Sequence, residues 1–215
     1  MAINFAGGTD RISYGNGFND SKGCFAFWMK TTQVTVNAAP LAVWSASSRN
    51  GFGFFINNTL NKITAQGYDA TTARITLTST ISINDGNWHH IAFNWNTANG
   101  GANALFIDGV SDATGNSSAA WSVSSIQPLY LGDLNDAFWP SYVGDLAEVA
   151  SWHGSTRNLD AAEIAALGKG FSPKHIAPGA LGFYAPLIRS PNNLRDAFIG
   201  SVVGTSVSDH CRIIG

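Results

Sequence analysis

Few residues in this chain have types and spacing suited to chemistry. They are the adjacent pair His89 and His90, the acids Asp145 and Glu148, the turn aspartates Asp108, Asp133 and Asp136, and the loop Asp133-Leu-Asn-Asp-Ala-Phe-Trp-Pro-Ser-Tyr142. The histidines suggest a metal, but adjacent strand residues point to opposite faces, so the pair cannot hold one ion without a bulge. His89 shares its face with Ile91, Phe93 and Trp95, which predicts a hydrogen-bonded core histidine. Asp145 and Glu148 are three positions apart, and retaining glycoside hydrolysis needs two carboxyls about 5–5.5 Å apart. In an unbroken strand this spacing puts them on opposite faces. No Gly-x-Ser-x-Gly nucleophile motif occurs either, so no enzyme is expected. Asp108, Asp133, Asp136 and Asp145 offer oxygens of the kind calcium takes, although a lone turn aspartate more often caps backbone N–H groups. Asp133 and Asp136 are the calcium candidates, and no other cofactor is expected. In the loop, Asn135, Asp136, Phe138, Trp139 and Tyr142 combine aromatic faces with short polar groups. That mixture suits a sugar or a protein contact, and equally a loop that folds Trp139 back over its own neighbours.

These residues must be positioned by strands. Twenty-three glycines, abundant Asn, Ser and Thr, and only 12% charged residues describe many strands joined by tight turns. Apolar and aromatic runs recur at Ile3–Phe5, Arg11–Tyr14, Cys24–Lys30, Leu41–Ser45, Phe52–Ile56, Ile63–Gln66, Arg74–Thr80, Trp88–Trp95, Ala104–Asp108, Pro128–Gly132 and Val143–Trp152. Short runs separated by Gly, Asn and Asp predict an all-β sandwich. Alternation places Phe25, Phe27 and Met29 on one face, with Ala26, Trp28 and Lys30 on the other, and groups Phe52, Phe54 and Ile56. Trp28, Trp88, Phe93, Trp95 and Ile107 are expected in the core or on packed sheet faces. One helix is predicted over 160–167, opened by Asp160 with Glu163 three residues on and stopped by Gly168. Its Ile164 and Leu167 should face the sandwich.

Two motifs identify the sandwich more narrowly. Trp88-His-His-Ile-Ala92 followed by Leu105-Phe-Ile-Asp-Gly109 resembles the strand and hairpin of the laminin-G-like, concanavalin A-like jelly rolls. Tyr142-Val-Gly-Asp-Leu-Ala-Glu-Val-Ala-Ser-Trp152 and Leu159-Asp-Ala-Ala-Glu-Ile-Ala-Ala-Leu167 are similar to that family's closing strand and helix. The resemblance implies an all-β concanavalin A-like jelly-roll domain over 1–167. It also implies a carbohydrate-binding lectin module as one function, with calcium at the rim in some relatives. The family often has Asp just before the acid of its closing strand. Ala147 stands there in this chain, so a role for that acid does not carry over.

Residues 168–215 read differently, as a proline-punctuated, partly β docking tail. Gly182-Phe-Tyr-Ala-Pro-Leu187, Gly200-Ser-Val-Val-Gly204 and Asp209-His-Cys-Arg-Ile213 resemble tails of tailed-phage virion proteins. That resemblance implies a non-catalytic capsid decoration or fibre protein, located in the virion and partnered by the major capsid protein or another virion protein. It would be self-associated as a homotrimer. Phe171, Leu181, Phe183, Tyr184 and Phe198 are the expected docking residues, to be buried against the body, a sister subunit or a capsid surface. Residues 1–167 carry 7 Lys/Arg against 12 Asp/Glu, net −5, whereas 168–215 carry 5 against 2, net +3. Opposite signs would help the two parts associate. An overall charge of −2 gives no case for nucleic acid or an anionic membrane. The sequence has no signal-peptide pattern and no run long enough to span a bilayer. Synthesis in a host cytoplasm, with Cys24 and Cys211 as separate reduced thiols, is therefore expected.

Overall fold

The computed structural model describes residues 2–214 except 17, 19, 35–36, 46–49, 58–60, 71, 123–127, 136–138, 154–156, 189, 193–199 and 210–212. Two antiparallel sheets face each other. One contains β1 (Ala2–Ala6), β3 (Lys22–Lys30), β8 (Trp88–Asn96), β9 (Ala102–Ile107), β10 (Val110–Asn116), β12 (Val143–Trp152), β13 (Leu181–Ala185) and β15 (Ser206–Ser208). The other contains β2 (Arg11–Asn16), β4 (Leu41–Trp44), β5 (Gly51–Asn57), β6 (Lys62–Asp69), β7 (Thr72–Thr78), β11 (Pro128–Leu131) and β14 (Ser201–Val203). The first sheet runs β10-β9-β8-β3-β12-β1-β15, with β13 also on β12, and the second runs β14-β2-β11-β4-β5-β6-β7. This is the expected concanavalin A-like jelly roll.

Period-two alternation explains the core. Phe25, Phe27 and Met29 of β3 meet Phe52, Phe54 and Ile56 of β5 across the gap, with Ile91, Phe93 and Trp95 of β8 beside them. The rings interlock: Phe27–Phe54 centroids are 4.9 Å apart and nearly perpendicular, and Trp95 stacks on Phe52 at 5.1 Å. Phe93, Trp95 and Ile107 are core residues as expected. Trp28 and Trp88 take the other expected place, a packed sheet face. They lie half-buried on the outer face of the first sheet, beside Ala2, Ala147 and Ile213, because their odd offset from the core residues turns them outward.

The helix α1 (Ala161–Gly168) has the predicted capping box, with Asp160 accepting from the Glu163 N–H and Glu163 reaching back to the Asp160 N–H. Ile164 and Leu167 seal it onto Cys24, Ala26, Ala92 and Phe106 on the outer face of the first sheet. A Cβ on Gly168 would lie 2.5 Å from the Gly109 backbone nitrogen, so a glycine lets the helix end touch the β9–β10 turn.

The segment after 168 is woven into the sandwich. β13 pairs with β12 over 149–152, while β1 pairs with the same strand over 143–146. β14 joins β2, and β15 joins β1. Phe183, Ala185 and Leu187 enter the inter-sheet core, while Leu181 and Tyr184 bury on the outer face. The alternation of 183, 185 and 187 thus supplies a core-facing strand beyond the expected boundary at 167. Leu181, Phe183 and Tyr184 are buried against this chain's own body, one of the surfaces expected for them. Phe171 is 41% exposed and bridges Ile214, and Phe198 lies outside the described residues. Cys24 is a free buried thiol, and burial holds its pKa far above the usual range; Cys211 lies outside the described residues. No described helix is long and apolar enough to cross a membrane.

Candidate functional site

The loop between β11 and β12 is fixed first by its apolar residues. Gly132, at φ +87°, turns the chain where a Cβ would collide with Phe5 and the Asp10 carbonyl. Leu134 and Trp139 then drop onto Ala39, Ala42, Trp44 and Phe55 on the outer face of the second sheet. Trp139 stacks on Phe55 at 4.2 Å and 27°, with its edge toward Trp44 at 6.0 Å. The indole face is spent inside the protein, so stacking on a sugar is not its role. Tyr142 turns back into the core, where its hydroxyl bonds the carbonyls of Lys30 (3.1 Å) and Asp145 (3.2 Å). Burial pushes that phenol well above its ordinary pKa. Tyr142 is therefore not a contact residue. Asp136 and Phe138 lie outside the described residues.

What the anchored loop presents is polar. Leu131 of β11 pairs with Ile12 of β2, which brings Arg11 beside the loop. Arg11 Nη1 donates to Asn135 Oδ1 at 2.7 Å and to Asp133 Oδ2 at 3.3 Å. Ser141 Oγ donates to the Gly8 carbonyl and lies 3.5 Å from Asp133 Oδ1. Gly8, Thr9, Arg11, Asp133, Asn135, Trp139, Pro140 and Ser141 enclose an open concavity of about 460 Å³. Both Arg11 bonds use Nη1, so Nε and Nη2 have no partner among the described residues. Of the expected binding residues, Asn135 and Trp139 border this concavity, together with the calcium candidate Asp133. Arg11 was missed, since only the β2–β11 register places it there. Beyond Phe55 the same face continues as a ladder in which Thr64 pairs with Thr78 (2.9 Å) and Gln66 donates to Thr76 (3.3 Å).

The remaining candidates have structural partners. Asp133 answers Arg11, Asp145 accepts from Asn4 at 2.8 Å, and no group of three or more His, Cys, Asp or Glu among the described residues could hold a metal ion. His89 is indeed hydrogen-bonded, but by two carboxylates at the sheet end: Nδ1 to Asp108 at 2.9 Å and Nε2 to Asp85 at 3.2 Å. The Asp108 bond raises its pKa, against the effect of burial. His90 faces the other way beneath Trp28, and burial lowers it to about 4. Strict alternation fails at Glu148. A bulge between Ala147 and Ala150, with Glu148 at φ +53°, turns this acid to the outer face shared by Asp145. There it is 2% exposed and accepts from the Tyr184 hydroxyl. Burial under β13 rather than face separation is what keeps it from a soluble substrate.

The sequence profile of the concanavalin A-like lectin/glucanases superfamily matches residues 6–165. The sushi, von Willebrand factor type A, EGF and pentraxin domain-containing protein 1 of Rattus norvegicus is 29% identical over 143 residues. That match covers 59% of this chain and 4% of the rat protein, so the chain spans a small fraction of that relative. A candidate carbohydrate-binding protein from Bacteroides ovatus superposes with a TM-score of 0.70 at 15% identity, over 95% of this chain and 58% of the other. The heptameric SAP-like pentraxin of Limulus polyphemus superposes with a TM-score of 0.66 at 12% identity, over 95% and 93%. At these identities the likeness establishes the fold.

Proposed function

From the premise that this chain belongs to the concanavalin A-like lectin/glucanases superfamily, we propose that it is a non-catalytic module that binds carbohydrate in the Arg11–Asp133–Asn135–Ser141 concavity. The observation that carries this reading is a sugar-sized hollow of about 460 Å³ with a preset array of donors and acceptors. Two further facts support it. Trp139 in the lining is already packed on Phe55, so little ordering cost falls on that part of the site. One similar fold belongs to a candidate carbohydrate-binding protein. Hydroxyl groups would accept from Arg11 Nε and Nη2 and bond Asn135 at the rim.

A virion setting with a capsid partner is the alternative placement. It draws on the tail resemblance and the lack of a signal-peptide pattern, whereas the lectin reading draws on the family match and the concavity, so the proposal rests on the lectin reading. Self-association, expected as a trimer, belongs to the same proposal. Light scattering of the purified chain checks it, and a monomer at all concentrations would remove it.

A glycan array followed by calorimetry on the best ligand tests the binding. Asn135→Ala should weaken affinity about tenfold, or roughly 1.4 kcal/mol, beside a stability loss of about 1–2 kcal/mol read separately from urea unfolding, because Asn135 holds φ +54° and accepts from Arg11. Arg11→Ala should weaken it at least as much. No ligand on the array, or full affinity in both variants, would discard this site. The same ligands should show no hydrolysis; turnover abolished by Glu148→Gln would overturn the non-catalytic reading.

A further inference from the structure

The opposite outer face of the molecule holds a second concavity, of about 550 Å³, bordered by Asn94, Ala102, Ala104, Thr114, Asn116 and Asn158. It lies on the first sheet, where the β8–β9–β10 register sets Asn94 against Ala104 and Thr114 against Ala104. Its walls are made by amides with fixed orientation. Asn94 Nδ2 donates to the Leu159 carbonyl at 2.8 Å. Asn158 Nδ2 donates to the carbonyls of Gly23 (2.8 Å) and Trp95 (3.0 Å). With the donors committed inward, each side chain has its carbonyl oxygen left to offer. Asn94 is 8% exposed, and its Oδ1 is buried with no hydrogen-bond partner among the described residues. A buried amide oxygen left without a donor costs about 1–3 kcal/mol, and this acceptor stands unanswered by any described residue.

We propose that this concavity is a second binding site, for a neutral polyhydroxylated ring such as a hexose. No charged side chain borders it. An anion would meet amide oxygens, and a cation would find no carboxylate. Hydroxyl groups can donate to Asn94 and Asn158, while Ala102 and Ala104 give a methyl floor for the C–H face of a ring. Thr114 and Asn116 are exposed at the rim and can donate or accept. The volume lies within the usual range for ligand pockets, roughly 300–1,000 Å³. The site stands on its own geometry and depends on the proposed function only in the class of ligand. If both sites bind, one chain presents sugar-binding surfaces facing opposite ways and can bridge two glycans.

The test is an amide NMR titration of the full chain with glucose, galactose and mannose, and with glucuronate as the charged comparison. Saturable shifts are expected at the side-chain amides of Asn94 and Asn158 and the backbone of Ala104 and Thr114, weaker with glucuronate. Thr114→Val and Ala102→Leu, both at exposed positions, should weaken binding about fivefold or more, whereas Asn135→Ala should leave it unchanged. Absence of saturable shifts there with every neutral sugar, as a trapped water bonding Asn94 would give, overturns the proposal. So do shifts indifferent to both pocket substitutions. Shifts confined to Thr9, Asn135 and Ser141 would overturn this site while supporting the one around Arg11. Shifts confined to this pocket would do the reverse.

Discussion

His89 and His90 are neighbours in the chain, yet their rings occupy opposite environments. His89 lies between Asp85 and Asp108, and its folded pKa is raised chiefly by the Asp108 bond. The folded state therefore binds this proton more tightly than the unfolded chain does. That contribution is complete below the ordinary imidazole value of about 6.5 and is lost as pH rises through the raised one. His90 has the opposite sign. Burial lowers its pKa to about 4, so the unfolded chain protonates first, and stability falls as pH drops from about 6.5 toward that value. Ring C–H shifts followed against pH should give His90 a midpoint near 4 and His89 one above about 6.5. Coincident midpoints would contradict the opposed environments. Asp108→Asn keeps a side chain that tolerates the residue's φ of 52°. It should lower the His89 midpoint and cost about 1–2 kcal/mol below neutral pH, the low end for charged hydrogen bonds because Asp108 is half-exposed.

Among elements, β12 decides most. Its edge away from β3 is shared end to end, with β1 along 143–146 and β13 along 149–152. The change of partner falls at the bulge, where the Glu148 N–H donates to the Pro186 carbonyl at 3.2 Å. The extra residue gives each half its own register and turns Glu148 onto Tyr184. Tyr184→Phe removes a donor from a buried carboxylate and should cost about 1–3 kcal/mol, read from urea unfolding. A loss below 0.5 kcal/mol, roughly the level of a neutral surface change, would show that the bond does not hold the bulge. Strand β10 carries another lesson. Val-Ser-Asp-Ala-Thr-Gly-Asn has little apolar content, and its residues are exposed or half-buried at the sheet's edge, so no hydrophobic pattern announced it.

At the scale of the whole molecule, residues beyond 168 pair with the body's own strands rather than lying over a finished sandwich. Phe183 is fully buried against Tyr14 at 4.9 Å and Phe18 at 5.5 Å. Phe183→Ala should cost about 3–5 kcal/mol, comparable to Phe93→Ala in the middle of the same core. Truncation after Gly168 removes β13, β14 and β15 together and uncovers both sheets. The shortened chain should show no cooperative unfolding transition by circular dichroism. A sharp transition like that of the full chain would mean the tail packs on a sandwich already complete. The −5 and +3 segments are accordingly parts of one packed body.

The sequence by itself determined the sandwich. Alternation at 25, 27, 29 and at 91, 93, 95 sets the face turned to the other sheet, and the Asp108-Gly109 turn and the Asp160–Glu163 box are local hydrogen-bonding codes. It also drew attention to the loop holding Asp133, Asn135 and Trp139. Only the tertiary structure decided what each loop residue does. Stacking on Phe55 turned Trp139 inward, the core claimed Tyr142, and Arg11 arrived from 122 residues away through strand pairing. The bulge at Glu148 and the fate of Phe183 were equally hidden. Whether an apolar residue meets its own sheet or another molecule depends on contacts distant in sequence, and a one-dimensional pattern records the face without the partner.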